Sequence, residues 1–586
     1  MGRAAHLCRS RRRLLPLPQL RTPDSVPHGG DALSSGDEHA RLAAERQAAL
    51  DTILDSPAEK KLIVAGPGTG KSYTFKQALE RAGGGVALTF IRALVRDLRV
   101  TLAEVAEIVN TFHGFAKYLL HSHPYGVGAD FWYCPPLPTI FARDLTLLGM
   151  GALTASDIDS AFQRLDDAEG LITESVRLGN YYNAVGHNDV VYRVIRRFEE
   201  TPEDIPEYPL VVVDEYQDFN PLETKLIKEL ERRSRVLIAG DDDQALYHRK
   251  HASPEFIREL ATDDDYENFE LPYCSRCTTV IVAAVTNVID RATANGNLGG
   301  RLDKPFLCYL PEKAAASEAH PTIIHARCTV DSAASPYMAQ YVAEQIAQIP
   351  DEDVAASREG GYPTVLVIGT GEVVRPVYAY LRQRFPNVEM AGGSPPELTL
   401  LEAYRLLSRD AHSRLGWRIA LELDAPPDLD EIVVHVLNEE LEFADNLPYG
   451  FSEHHLPHAE TVSRLVADQE VSPEEQAALE QAVGMSIEEI RKQLALDEDV
   501  GEGEEGAADP NAPTVVCTTM PSAKGLSAEH VFIVGFNNER FPRNPGAITD
   551  YEICCLLVAL SRTRKQCHVV SCGRWHGQLL QTSVFL

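Results

Sequence analysis

Short, almost continuous apolar runs recur along this chain, separated by stretches of helical periodicity. Four come early: residues 61–66 (KLIVAG), 86–90 (VALTF), 210–215 (LVVVDE) and 236–242 (VLIAGDD). Four more come late: 364–369 (TVLVIG), 514–519 (TVVCTT), 530–536 (HVFIVGF) and 567–572 (CHVVSC). Runs this short, apolar at every position, predict strands buried on both faces, as in a parallel sheet. Residues 38–54 place apolar side chains at helical spacing, and similar patterns lie between the runs. Strands alternating with helices predict an α/β fold with parallel sheets. Two stretches interrupt the alternation and read as mostly helical, residues 116–206 and 395–495.

At 586 residues the chain has length for about four units of ~150 residues. No apolar run approaches the ~20 residues that span a bilayer, so a membrane protein is excluded at this level. The 11 cysteines are scattered, which fits a reducing compartment and a cytoplasmic location. The net charge of −31 disfavours nucleic acid only until it is mapped. Residues 421–510 hold 25 Asp and Glu against 3 Lys and Arg, a net of −22, which leaves −9 for the rest of the chain. A basic groove elsewhere is therefore compatible with the total. The acidic block reads as a solvated face, and residues 496–513 as a flexible acidic linker. Residues 1–36 open with six arginines before the first acid and read as disordered.

Chemistry concentrates after the apolar runs. Gly66-Pro67-Gly68-Thr69-Gly70-Lys71-Ser72 follows a predicted strand and opens a predicted helix, the setting of a P-loop. Its backbone N–H groups would cradle phosphates, Lys71 would reach the β- and γ-phosphates, and the Ser72 hydroxyl would hold Mg²⁺. Asp214 and Glu215 end the third run. A carboxylate there can hold Mg²⁺, and the next can orient or deprotonate the attacking water. Gly240-Asp241-Asp242-Asp243-Gln244 ends the fourth, and Gln244 can hydrogen-bond a γ-phosphate or that water. Cys274 and Cys277 form a CxxC without a second ligand pair, so ordinary cysteines are preferred to a metal site.

Taken in order, these segments resemble the UvrD/Rep-type superfamily 1 helicases. Gln47 is placed like the family's glutamine upstream of the P-loop. Thr111-Phe112-His113-Gly114 matches its TFHG segment, Asp214-Glu215-Tyr216-Gln217-Asp218 its DExQD, and Gly240 to Tyr247 its GDDDQxxY. Ser522-Ala523-Lys524-Gly525-Leu526 matches SAKGL, and Val558-Ala559-Leu560-Ser561-Arg562-Thr563 the VALTRA-like helix. The resemblance implies a P-loop NTPase with two RecA-like domains. Residues 37–115 and 207–272 would form the first, and 273–394 and 514–586 the second. Residues 116–206 and 395–495 would be insertions. ATP and Mg²⁺ would lie between the domains, with Gln47, Gly66, Gly68, Thr69, Gly70, Lys71 and Ser72 binding nucleotide. Arg276 and Arg562 would neutralise charge on the γ-phosphate. Phe112, His113, Tyr247, Arg249, Lys250 and Lys524 would meet DNA.

The match departs at four places. Ser275 stands where the family stacks a tyrosine on adenine, and Ser527 where it has a ribose-binding glutamate. Pro521 replaces a histidine before SAKGL. His248-Arg249-Lys250 stands where a tryptophan stacks on a DNA base. The expected activity is ATP-driven 3′→5′ movement on single-stranded DNA or a 3′-tailed duplex. The alternatives are a nucleotide-dependent DNA-binding or regulatory module with weak hydrolysis, and a helicase subunit of a nuclease-containing defence or repair complex.

Overall fold

The computed structural model describes residues 35–89, 92–121, 131–392, 396–496, 509 and 511–585. The arginine-rich start and most of the acidic linker lie outside the described residues, as do several side chains within helices, that of Arg249 among them. Among the described residues, two six-stranded sheets form the framework, and every pairing within them is parallel.

The first sheet runs, edge to edge, Ile108–Thr111, Val86–Thr89, Val211–Asp214, Val236–Gly240, Lys60–Val64 and Glu267–Glu270. Side-chain alternation explains why its central strands are apolar throughout. Leu62, Val64, Val211 and Val213 pack into one core, while Ile63, Ala65 and Val212 pack into another on the opposite face. Parallel strands covered on both faces need an apolar residue at every position. The second sheet runs Ile324–Cys328, Thr563–Cys572, Ala528–Val534, Val365–Gly369, Val515–Thr519 and Val388–Met390. It divides in the same way: Leu366, Ile368, Val531 and Ile533 face one core, and Val365, Val367, Phe532 and Val534 the other.

Four strands add to those read from the apolar runs: Ile108–Thr111, Glu267–Glu270, Ile324–Cys328 and Val388–Met390. They are the edge strands of the two sheets. Glu267–Glu270 exposes three of its four side chains. An edge strand has a partner on one side only and needs no continuous apolar sequence.

The two helical stretches interrupting the sheets meet each other. Helices Leu137–Leu147, Ala155–Arg164, Leu171–Tyr182 and His187–Glu200 share one hydrophobic core with helices Leu400–Arg409, Arg414–Asp424 and Phe451–Val466. At the junction Arg418 and Asp144 are both fully buried, 2.7 Å apart. The Tyr182 hydroxyl donates to the second Asp144 oxygen at 2.6 Å. Tyr181 donates to the Leu441 carbonyl, and Arg414 to the Tyr181 carbonyl. The two insertions therefore form one helical body across ~270 residues of sequence.

Removing one member of a buried pair leaves an uncompensated charge. Asp144→Ala should lower unfolding free energy by about 3–5 kcal/mol, measured by denaturant titration. The double replacement Asp144→Leu with Arg418→Met should cost much less than either single change, since it buries no charge. Equal losses in single and double variants would show that the pair is not what joins the insertions.

Candidate functional site

The C-terminal ends of the first sheet's central strands converge on one point, where α/β sheets commonly bind ligands. The phosphate loop leaves the strand Lys60–Val64. It begins at Ala65, where the usual P-loop pattern has its first glycine, and ends in the helix Lys71–Ala82. Gly70 caps that helix in the left-handed region, at φ 97°. Gly68 also has positive φ, 69°, and a Cβ there would come within 2.5 Å of Arg276 Cβ. Glycine is required because the segment Tyr273–Arg276 lies directly on the loop. Ser275 donates to the Gly68 carbonyl from both its N–H, at 2.9 Å, and its hydroxyl, at 3.0 Å. Ser275 thus fastens this segment to the phosphate loop.

Asp214 ends the strand Val211–Asp214, separated from Lys60–Val64 by Val236–Gly240, and Glu215 follows it. Glu215 adopts φ 58°, ψ 41°, an uncommon left-handed conformation for a side-chain-bearing residue. Gln217 donates to Glu215 at 2.7 Å and accepts the Asp241 N–H at 2.9 Å. A Cβ on Gly240 would meet that Gln217 oxygen at 2.6 Å, which explains the glycine opening GDDDQ. Burial, followed by the Glu215 charge, pushes Asp214 up to about 7. Burial also works against Glu215, but Lys524, Lys71 and the Gln217 hydrogen bond outweigh it and hold the carboxylate at about 2.

The second sheet contributes the opposite wall. Arg562 donates to the Gln244 side-chain oxygen at 2.9 Å, and the Gln244 amide donates to Asp241 at 2.6 Å. Burial and then the charge of Arg276 press Arg562 down to about 9, so it remains a cation at neutral pH. Arg564 was not singled out in the sequence, yet it lines the same cleft. Its Nε donates to the Ser527 hydroxyl at 3.0 Å, and its guanidinium lies 3.8 Å from the Tyr362 ring centroid. Arg562 caps the helix Asp550–Ser561 and Arg564 lies in the strand Thr563–Cys572, so no single periodicity in the sequence pairs the two. Lys71, Ser72, Asp214, Glu215, Gln244, Arg276, Arg562 and Arg564 all line this one cleft.

Other anticipated residues sit elsewhere. Gln47 is exposed and donates to Asp51 one helical turn on. Its neighbour Arg46 is the side chain that reaches the loop, within 3.3 Å of where a Gly70 Cβ would be. Arg46 also lies 5.5 Å from the Tyr73 ring centroid and 5.6 Å from that of Tyr309. One residue of helix turns the side chain by about 100°, which separates the two fates. Tyr273 donates to Glu45 at 2.6 Å, with its ring edge-on to Tyr309.

The residues expected at DNA divide. Phe112 is fully buried against Phe219, so it serves as core. His113 stacks on His187 with 3.7 Å between centroids, and its Nε2 lies 3.3 Å from Asn188. Lys524 is completely buried, bonded to Asp218 and to the Gln244 carbonyl, with Glu215 at 3.3 Å. It offers no surface to a strand and instead ties the second sheet to the first. Tyr247 is half-buried, and Lys250 is exposed with its ammonium 5.8 Å from the Tyr247 ring centroid. The Arg249 side chain lies outside the described residues.

Sequence reading also missed Lys304. Its ammonium is buried among three consecutive carboxylates, at 3.0 Å from Asp241, 2.6 Å from Asp242 and 2.9 Å from Asp243. Arg258 and Arg301 pair with Asp242 and Asp243 from either side. Three adjacent buried carboxylates would repel without these cations, so Lys304 positions the segment that carries Gln244. Lone lysines between motifs carry no local signal of this kind.

A family model described as an AAA domain matches residues 46–250. The chain is 26% identical over 302 residues to DNA helicase II of Haemophilus influenzae, covering 42% of this chain and 40% of that protein. It is 32% identical over 279 residues to ATP-dependent DNA helicase PcrA of Bacillus subtilis, covering 39% of this chain and 37% of that protein. The chain thus spans less than half the length of these curated relatives.

Lys304→Met leaves three buried carboxylates short of a cation and should lower stability by about 3–5 kcal/mol in denaturant titrations. Lys304→Arg should recover most of that loss. Unchanged stability in Lys304→Met would show that Arg258 and Arg301 suffice.

Proposed function

We infer from the chain's kinship with the UvrD/Rep-type superfamily 1 helicases that it couples ATP hydrolysis to movement along single-stranded DNA. The observation that carries this reading is the convergence of Lys71, Arg276, Arg562 and Arg564 with Asp214, Glu215 and Gln244 in one cleft. Side chains from both sheets line it. Such a cleft can change its closure with the number of phosphates it holds.

The loop backbone and Lys71 would bind the triphosphate as substrate. Arg276, Arg562 and Arg564 would neutralise charge that develops on the transferred phosphoryl group. Glu215 stays ionised at neutral pH and would orient the attacking water. Gln244 joins Asp241 to Arg562 and would report the γ-phosphate to the second sheet. The Ser72 hydroxyl and Asp214 carboxylate are hard oxygen donors in the same cleft, a set that fits Mg²⁺. Mg²⁺ bound there would neutralise phosphate oxygens and orient them for attack.

The 3′→5′ direction rests on the family resemblance, as does duplex unwinding. Charge is favoured over stacking at the strand, because Lys250 stands exposed in the His248-Arg249-Lys250 segment, where the family has a tryptophan. A single-stranded or 3′-tailed DNA is the proposed substrate. At the base end, Tyr273 is committed to Glu45 and Ser275 to Gly68, which leaves Arg46, Tyr73 and Tyr309 to meet the purine.

Lys71→Ala should abolish DNA-stimulated ATPase and weaken nucleotide binding. Glu215→Gln should abolish turnover while keeping ATP bound. Near wild-type rates in either variant would remove the assignment. Tyr309→Ala should raise KM for ATP with a smaller effect on kcat, and an unchanged KM would clear the aromatic pair of base recognition. Binding to single strands should weaken with salt, and Lys250→Ala should reduce the log–log slope by roughly 0.7 if it contacts one phosphate. A strand-displacement comparison of 3′- and 5′-tailed duplexes tests direction.

A further inference from the structure

Inside the acidic helical insertion, away from the nucleotide cleft, three histidines of one helix meet the end of another. Helix Phe451–Val466 carries His454, His455 and His458, and Asp424 is the last residue of helix Arg414–Asp424. One donor atom each from Asp424, His454 and His455 lie within 4.8 Å of one another. His458 follows His454 by one turn, with 5.7 Å between ring centroids.

His455 is the informative member. Its side chain is wholly buried, and its Nδ1 lies 3.1 Å from the Tyr404 hydroxyl. Its Nε2 lies 3.1 Å from an Asp424 carboxylate oxygen, yet it has no partner in hydrogen-bonding direction. A buried ring nitrogen beside a carboxylate but off its hydrogen-bonding direction calls for a further partner, and a cation shared with that carboxylate would supply one.

We propose that Asp424, His454 and His455 form a zinc site, with His458 able to complete a tetrahedral set. Imidazole nitrogen and carboxylate oxygen together are a donor set suited to Zn²⁺. Bonds of about 2.0–2.2 Å require the donors to draw closer. His454 and Asp424 are exposed enough to turn inward, while His455 is fixed by its packing. Tyr404 accepting from Nδ1–H would hold the tautomer that leaves Nε2 free to ligate, the usual outer-sphere arrangement. The ion would clip helix Arg414–Asp424 to helix Phe451–Val466. The first of these also carries Arg418, which anchors the insertion to Asp144. A structural ion here would stiffen the junction between the two insertions.

The test uses the full chain, stripped with a chelator and titrated with Zn²⁺ in excess Mg²⁺. Co²⁺ serves as the spectroscopic probe. We expect one equivalent of Zn²⁺, d–d absorption from bound Co²⁺, and a higher Tm with the ion. His454→Ala and Asp424→Asn alter exposed groups and should fold normally, yet lose the ion. Tyr404→Phe should weaken affinity by about 10-fold or more. ATPase activity should be unchanged in His454→Ala, which separates this site from the nucleotide cleft. Failure to bind Zn²⁺, or binding unaffected by both His454→Ala and Asp424→Asn, would overturn the proposal. The second outcome would place any zinc elsewhere, for example on the cysteines.

Discussion

The two sheets are held in register by a lysine that has no access to water. Lys524 leaves the second sheet and ends between Asp218 and Glu215 of the first, with the Gln244 carbonyl as a further acceptor. A buried ammonium is tolerated only while paired. The two halves therefore cannot part here without exposing or orphaning three charges. Arg562 to Gln244 to Asp241 forms a second link beside it. Together they fix the distance between the phosphate loop and the arginines opposite. The proposed hydrolysis would require that distance, because neutralising cations act only where the charge develops.

Much of this centre was legible in the sequence because its backbone permits few residues. Gly68 must be glycine where the Tyr273–Arg276 segment presses on the loop, and Gly240 where Gln217 does. Asp214 and Glu215 end a strand whose preceding residues are all apolar, so their placement followed from the run. Residues whose roles depend on a distant partner were harder to read. Phe112 sits in a motif that suggests DNA, but its ring fills the core beside Phe219. Lys524 carries a charge that suggests phosphate, but its partners lie some 300 residues earlier in the chain. Lys304 and Arg564 lie outside the strongest matches, and only the folded chain brings them to the carboxylates and the cleft.

The same limit explains the insertions. Their helices could be read from periodicity, and their charge from composition. Their docking could not, because it rests on Arg418 finding Asp144 across some 270 residues of intervening chain. Desolvation makes such a pair a weak source of stability but a strong constraint on partner choice. Any other apolar face packed there would strand both charges. The acidic excess of residues 421–510 is thus partly structural: Glu422 pairs with Arg418, and Glu442 with Arg414, both at this helix.

On the proposed reading, the cleft would treat the two ends of a nucleotide differently. At the phosphate end, four cations and a glycine loop are fixed by backbone geometry and by hydrogen bonds across the sheets. At the base end, the contacts are softer. Ser275 gives its hydroxyl proton to the loop carbonyl, and Ser527 accepts from Arg564, so both hydroxyls already hold a contact in the cleft wall. What remains there is Arg46 between Tyr73 and Tyr309, and Tyr73 is largely exposed. An arginine and two aromatic faces attract any purine by stacking and cation–π contact, with little power to choose among them. Selectivity built from buried donors and acceptors is far sharper, because a wrong ligand leaves them unpaired. Ser275 and Ser527 thus place their hydroxyls in the walls of the cleft. In the proposed motor, phosphate-dependent closure would need that rigidity, and little would be asked of the base.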